Sequence, residues 1–161
     1  MTRIVICGGP RTGKTTLAND LVGGDDARDQ MEHAHVEVRH TDDLIGKLAH
    51  LGKDAWSEAS RQVSEWLDTP GPWIIEGVAV CRALRKWREA HPGEPPPVDK
   101  VIRLTEPHEQ LSKGQATMAK GEETVWLEIE TWILHSGVPV AFRSDVDEPQ
   151  AAPPVRASDD G

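Results

Sequence analysis

Tyrosine is absent from this 161-residue chain, phenylalanine occurs once and cysteine twice. Cys7 and Cys81 are too few and too far apart to make a metal knuckle or a disulfide framework, so buried or incidental thiols are expected. No apolar run approaches the roughly 18 residues that a membrane span needs. The first one, Ile4-Val5-Ile6, ends at glycine without the charged, apolar and small-residue succession of a secretory leader. These absences lead to the expectation of a cytoplasmic protein with no membrane partner. Positive charge is also scarce: 18 lysines and arginines face 27 acids, a formal net charge of -9. Nucleic-acid binding carried by phosphate contacts needs the opposite balance, because Lys and Arg replace the counterions. Part of the acidity lies near the C-terminus, where Asp145, Asp147, Glu148, Asp159 and Asp160 oppose Arg156. The remainder is acidic too, so any polyanion site must be a local patch.

What is present is the composition of one globular domain, 37% hydrophobic and 28% charged. Arg3 to Cys7 reads as a short buried strand. A helix is expected from Lys14, with Leu17, Ala18, Leu21 and Val22 on its apolar side and Gly23-Gly24 as its stop. His35 to Arg39 reads as a second strand. From Thr41 to Leu67 the apolar residues recur at helical spacing, with a break near Gly52. Thr69-Pro-Gly-Pro ends that stretch, and Trp73 to Gly77 is a third strand. Val80 to Ala90 is expected to form the most basic helix, and His91 to Pro97 a proline-rich loop. Strands over Val98 to Leu104 and Val138 to Phe142 flank two helices, Pro107 to about Met118 and Glu122 to His135. Trp56, Trp66, Trp126 and Trp132 fall at helical apolar positions, where core packing is expected rather than base stacking. Residues 144–161 have the composition of a disordered tail, which leaves a domain over 1–143. Strands alternating with helices imply a five-stranded parallel sheet between helical layers, an α/β fold of three layers. Such folds bind ligands at the carboxyl ends of their strands.

The residues at the end of the first strand carry the most specific signal. Gly8-Gly9-Pro10-Arg11-Thr12-Gly13-Lys14-Thr15 satisfies G-x-x-x-x-G-K-[ST] between an aliphatic strand and a helix. A polyphosphate lying across a backbone needs inward-facing amides and no intervening side chains, which a glycine-rich loop provides. The N-terminus of the following helix, through Thr15 and Thr16, adds its partial positive charge. In this pattern Lys14 reaches the β- and γ-phosphates and the Thr15 hydroxyl ligates Mg2+, so ATP and Mg2+ are the expected cofactors.

The loop, its place near the N-terminus, the length and the strand-helix order resemble the small P-loop kinases: nucleoside and nucleotide kinases, shikimate and gluconate kinases, and the kinase domain of polynucleotide kinase. The resemblance spans roughly Thr2 to Phe142 and implies the P-loop NTPase version of the three-layer fold. It also implies site residues. Asp42-Asp43, directly after strand two, looks like the strand-D-D segment in which the first acid faces the acceptor; either acid is also placed to cap the coming helix. Glu76 resembles the acid after the third strand that holds the metal's water shell, and Gly77 is expected to let the backbone pass close to substrate. Leu111 to Gly121 takes the place of a lid, but offers Lys113 and Lys120 where the family carries arginines, and lysine lacks the bidentate fork. Arg11, Arg82 or Arg85 is expected to supply the missing guanidinium. Switch GTPases fit less well, because no N-K-x-D string follows the fourth strand. His33, His35 and His40 cluster without a carboxylate-histidine signature, and no metal role is assigned to them.

Three functional readings follow. The leading one is an ATP-dependent kinase acting on a small acceptor, foremost a nucleoside or nucleotide. A second is a kinase for a polynucleotide 5' hydroxyl or a modified DNA base, encouraged by the basic Arg82-to-Arg88 helix and opposed by the net charge. A third is a nucleotide-binding regulatory protein that hydrolyses ATP slowly or not at all.

Overall fold

Arg3–Gly8 forms β1, and its Val5, Ile6 and Cys7 lose all contact with solvent because the strand runs through the middle of the sheet. The computed structural model describes residues 2–10, 12–23, 36–105, 107 and 110–143; the expected tail lies outside them. After β1 come α1 (Lys14–Gly23), β2 (Glu37–His40), α2 (Thr41–Lys47), a 3-10 segment (Ala49–Asp54) and α3 (Ala55–Trp66). Then follow β3 (Trp73–Gly77), α4 (Val80–Ala90), β4 (Lys100–Leu104), α5 (Lys113–His135) and β5 (Val140–Arg143). The strands are ordered β2-β3-β1-β4-β5 and every pairing is parallel. This is the expected three-layer α/β architecture, with helices on both faces of the sheet.

The period-two alternation of strand side chains assigns each residue to a layer. Val5, Cys7, Trp73, Ile75 and Val101 face α3, α4 and α5 in the larger core. Ile6, Ile74, Ile102 and Leu104 face the other way, where Ala18, Leu17 and Leu21 of α1 join them. The helix after β1 therefore lies on one face, and those after its neighbours β3 and β4 lie on the other. The carboxyl end of β1 is a topological switch point, where such sheets open a crevice.

Several elements depart from the sequence expectation. The helical stretch after β2 does break at Gly52, whose φ of 60 takes it out of helical geometry. β4 starts at Lys100 rather than Val98, because Asp99 is engaged with Arg3: its amide donates to the Arg3 carbonyl (2.8 Å) and its carboxylate accepts from the Arg3 amide (2.8 Å). The two helices expected over 107–118 and 122–135 are replaced by a single helix of 23 residues, α5. Its start is set by a capping box in which the Ser112 hydroxyl accepts from the Gln115 amide and the Gln115 side chain from the Ser112 amide. Pro107 and Gln110 precede it outside any helix. Gly121 costs about 1 kcal/mol relative to Ala inside a helix, but the buried Glu122, Val125, Trp126, Ile129 and Ile133 that follow at helical spacing outweigh it.

The tryptophans divide. Trp73, Trp87 and Trp126 are buried, whereas Trp56, Trp66 and Trp132 are half-buried and carry the guanidinium groups of Arg82, Arg39 and Arg88 over their rings. No helix among the described residues is long and apolar enough to cross a membrane.

Candidate functional site

The glycines of the loop after β1 are there for space and for backbone angle. A Cβ on Gly8 would lie 2.7 Å from Thr12 Oγ1 and 2.8 Å from the Leu104 carbonyl oxygen, and Gly13 has a φ of 87, which a side chain resists. The Thr12 hydroxyl donates back to the Gly9 carbonyl (3.0 Å) and closes the loop. Gly9 abuts α5, since a Cβ on it would stand 3.1 Å from that of Ala119. Pro10 is half-buried between these contacts; Arg11 lies outside the described residues.

Lys14 opens α1 with its ammonium turned into the loop. Its Nζ donates to the Gly9 carbonyl (2.5 Å) and to Thr12 Oγ1 (3.3 Å), and the residue is only 5% exposed. Burial lowers its pKa below the ordinary lysine value, opposed in part by the negative charges of Asp42, Glu76 and Glu122. Asp42, Glu76 and Glu122 come from α2, β3 and α5 respectively, so carboxylates from distant parts of the chain act on one buried cation. Thr15 and Thr16 follow on the exposed first turn of α1.

Glu76 is in strand β3 and 1% exposed. Its Oε2 accepts from Thr15 Oγ1 (3.0 Å) and from His40 Nδ1 (2.5 Å). Its Oε1 is buried with no hydrogen-bond partner among the described residues. A buried carboxylate oxygen without a donor is costly and marks a place for a cation or its water. Among the described residues, no group of three or more His, Cys, Asp and Glu side chains is arranged to hold a metal by itself. Mg2+ does not require one, since it keeps several waters and takes its other ligands from phosphate and one or two protein oxygens. The Thr15 hydroxyl and the free oxygen of Glu76 are hard donors of the right chemistry for that role.

Asp42 and Asp43 lie in the first turn of α2, both exposed, and neither caps that helix: its N-cap is His40, which makes no side-chain cap bond. Asp42 instead turns to the end of β3, where its Oδ1 accepts from the Val78 amide (3.3 Å). Thr41 beside it is fully buried and accepts from the Ala79 amide (3.4 Å). Gly77 makes this approach feasible. At a φ of 142 it presents no side chain where a Cβ would be 1.8 Å from Thr41 Oγ1. Its local task is thus to seat Thr41 and Asp42, a reason different from the close passage of substrate expected from the sequence.

The arginine and lysine candidates separate. Arg85 is tied to Glu128 (2.9 Å), and Arg88 donates to the Glu128 carbonyl (3.4 Å), so these two cations fasten α4 to α5. Arg82 lies over Trp56 with its guanidinium 5.3 Å from the ring centroid and against Gly121, and it makes no ion pair among the described residues. Residues 113–121, where the lid is expected, are the opening turns of α5, seated on the loop through Ala119, with Lys113 and Lys120 exposed.

Two contributors went unread in the sequence. His40 reaches Glu76, and the signal available was strand parity, since the two are register partners in β2 and β3. Glu122 is buried with Arg103, which donates to it and to Glu123 (2.6 Å), while the Cys81 thiol donates to the same Glu122 oxygen (3.1 Å). Both cysteines are free and buried. No protein-family model matches the chain, and no curated protein matches it.

Proposed function

We propose that the protein is an ATP- and Mg2+-dependent phosphotransferase that moves the γ-phosphoryl group to a small acceptor, with nucleosides and nucleotides the first candidates. The observation that carries this reading is Lys14: a lysine buried in a glycine loop at a strand-helix switch point, with Asp42 and Glu76 both near enough to stabilise its charge. A buried cation is expensive to keep. Here it is retained at the place where a triphosphate would meet loop amides and a helix N-terminus.

In this reading the amides of Gly8 to Gly13 and the Lys14 ammonium hold the β- and γ-phosphates. Bound Mg2+ supplies charge neutralisation between those phosphates. Thr15 gives it a hydroxyl lone pair, and Glu76 holds its water. Asp42 belongs to neither group, and its Oδ1 is anchored on Val78. It orients the acceptor hydroxyl and takes its proton as the oxygen attacks the γ-phosphorus and the bond to the bridging oxygen of ADP breaks. Arg82, with no carboxylate partner among the described residues, is the guanidinium on hand for the acceptor or for developing charge. The polynucleotide reading loses support, because Arg85 and Arg88 are spent on α5.

The test is γ-phosphoryl transfer from ATP across a panel of nucleosides, nucleotides, sugars and oligonucleotides. One acceptor should stimulate ATP turnover in the wild type, and Asp42→Asn should reduce that rate about 10²- to 10⁴-fold while nucleotide still binds. Lys14→Met should abolish turnover without lowering the melting temperature, because it removes a desolvated cation. Undiminished ATP consumption by Lys14→Met, or no heat on titrating Mg2+-ATP into the folded wild type, overturns the reading. Tight nucleotide binding with no acceptor effect assigns the protein to regulation instead.

A further inference from the structure

Glu76 is held asymmetrically. Both donors that reach it, the Thr15 hydroxyl and the His40 ring, land on Oε2, and Oε1 has none among the described residues although the side chain is almost wholly buried. A carboxylate oxygen only accepts, so the tautomer that fits this 2.5 Å contact is the one with His40 Nδ1 as the donor to Glu76. The placement follows from the sheet. His40 and Glu76 are register partners, both on the face covered by α1, and the backbone ladder already pairs β2 with β3 there. The side-chain bond is therefore not needed to join the strands. What it does is fix the rotation of the carboxylate.

We infer that His40 is a positioning residue for the metal. By holding Glu76 through Oε2 it keeps Oε1 free for the hydration shell of a divalent cation, and it lets Thr15 spend its hydrogen on the same oxygen while its lone pairs stay available to that cation. The inference rests on the phosphotransferase reading above. In this role His40 acts on the metal through Glu76 rather than as a ligand, since the contact it makes is to the carboxylate. Without His40 the carboxylate is free to turn, and Thr15 alone has to hold it. Groups bonded directly to a metal's ligands change its affinity by about 10- to 100-fold; His40 stands one step further out, behind Glu76 and the metal's water, so an effect at or below the lower end, about threefold to tenfold, is expected here. His40 keeps 28% of its side chain exposed, so its substitution disturbs little of the core.

The experiment uses Mn2+ as a paramagnetic stand-in for Mg2+ and reads its binding by electron paramagnetic resonance, in the full chain saturated with a non-hydrolysable ATP analogue. His40→Ala should weaken Mn2+ binding about threefold to tenfold, while affinity for the nucleotide in chelator stays within about twofold of wild type. His40→Asn places its amide nitrogen where Nδ1 stood and should restore most of the Mn2+ affinity. His40→Gln, whose amide reaches instead toward the Nε2 position, should not. Equal Mn2+ affinity in wild type and His40→Ala overturns the inference, as does His40→Asn binding no better than His40→Gln. That last pair decides the matter even if the alanine variant fails to fold. A folded wild type that binds no nucleotide at all overturns the phosphotransferase reading and takes this inference with it, whereas nucleotide binding with a metal response indifferent to His40 removes the inference alone.

Discussion

Gly77→Ala is the substitution whose cost the structure specifies most completely. A Cβ there would lie 1.8 Å from Thr41 Oγ1, 2.9 Å from Thr41 Cβ and 3.0 Å from Asp42 Oδ1. The first distance is far inside van der Waals contact, so Thr41 has to move by more than an ångström. It cannot do so freely, because it is fully buried and accepts a bond from the Ala79 amide. Forcing extra volume into a packed site costs about 1–3 kcal/mol. An alanine at a φ of 142 adds strain of about 1–3 kcal/mol, and loss of the Thr41–Ala79 bond adds about 1 kcal/mol. Gly77→Ala should therefore lose about 3–7 kcal/mol, a large share of the 5–15 kcal/mol typical of a domain. Urea unfolding of the variant measures it. Gly52→Ala is the control, since Gly52 also has a positive φ of 60 but nothing lies within 4 Å of its would-be Cβ; only the backbone strain of about 1–3 kcal/mol should appear. Adding Thr41→Gly to Gly77→Ala should recover about 1–3 kcal/mol, since it removes the colliding atoms. If Gly77→Ala and Gly52→Ala cost the same within about 0.5 kcal/mol, the packing assigned to Thr41 is wrong.

Two other outcomes test the surroundings of the site. Glu122→Gln should destabilise the protein by about 3 kcal/mol in urea unfolding, because it leaves the buried Arg103 with Glu123 alone, whereas Arg103→Met combined with Glu122→Leu should cost less than about 1 kcal/mol. At low pH the Arg3–Asp99 clasp should weaken. Burial works to raise the Asp99 carboxyl, but hydrogen bonds from the Arg3 side chain and amide outweigh it and hold its pKa below the ordinary 3.8. The folded state then binds fewer protons than the unfolded one in that range, so this stability is present above 3.8 and fades as pH falls toward the folded value. Wild type should lose more of its melting temperature between about pH 5 and pH 3 than Asp99→Asn does; equal losses refute the assignment.

Much of the architecture was legible because local chemistry and tertiary position agree. Ile4-Val5-Ile6 before a glycine loop could be little other than a buried strand, and Trp73 to Gly77 and Val80 to Ala90 end where their breakers stand. The departure at α5 has a tertiary cause. Gly121 weighs locally against one continuous α5, whereas the burial of Glu122 and Trp126 against Arg103 and Cys81, contacts remote in sequence, carries the helix through it. Glu76 was readable as an acid at a strand end. That its two oxygens differ, one accepting two hydrogen bonds and one without a partner among the described residues, depends on Thr15 and His40 arriving from other elements.

The sequence by itself determined the alternation of strands and helices, the glycine loop and the identity of the lysine within it, because each depends on residues adjacent along the chain and on backbone angles only glycine tolerates. Only the tertiary structure decided which carboxylates surround that lysine, which arginines are consumed by ion pairs, and that Gly77 exists to admit Thr41. Those outcomes turn on strand order, register and the face each helix covers, quantities fixed by packing the whole sheet and written in no single segment.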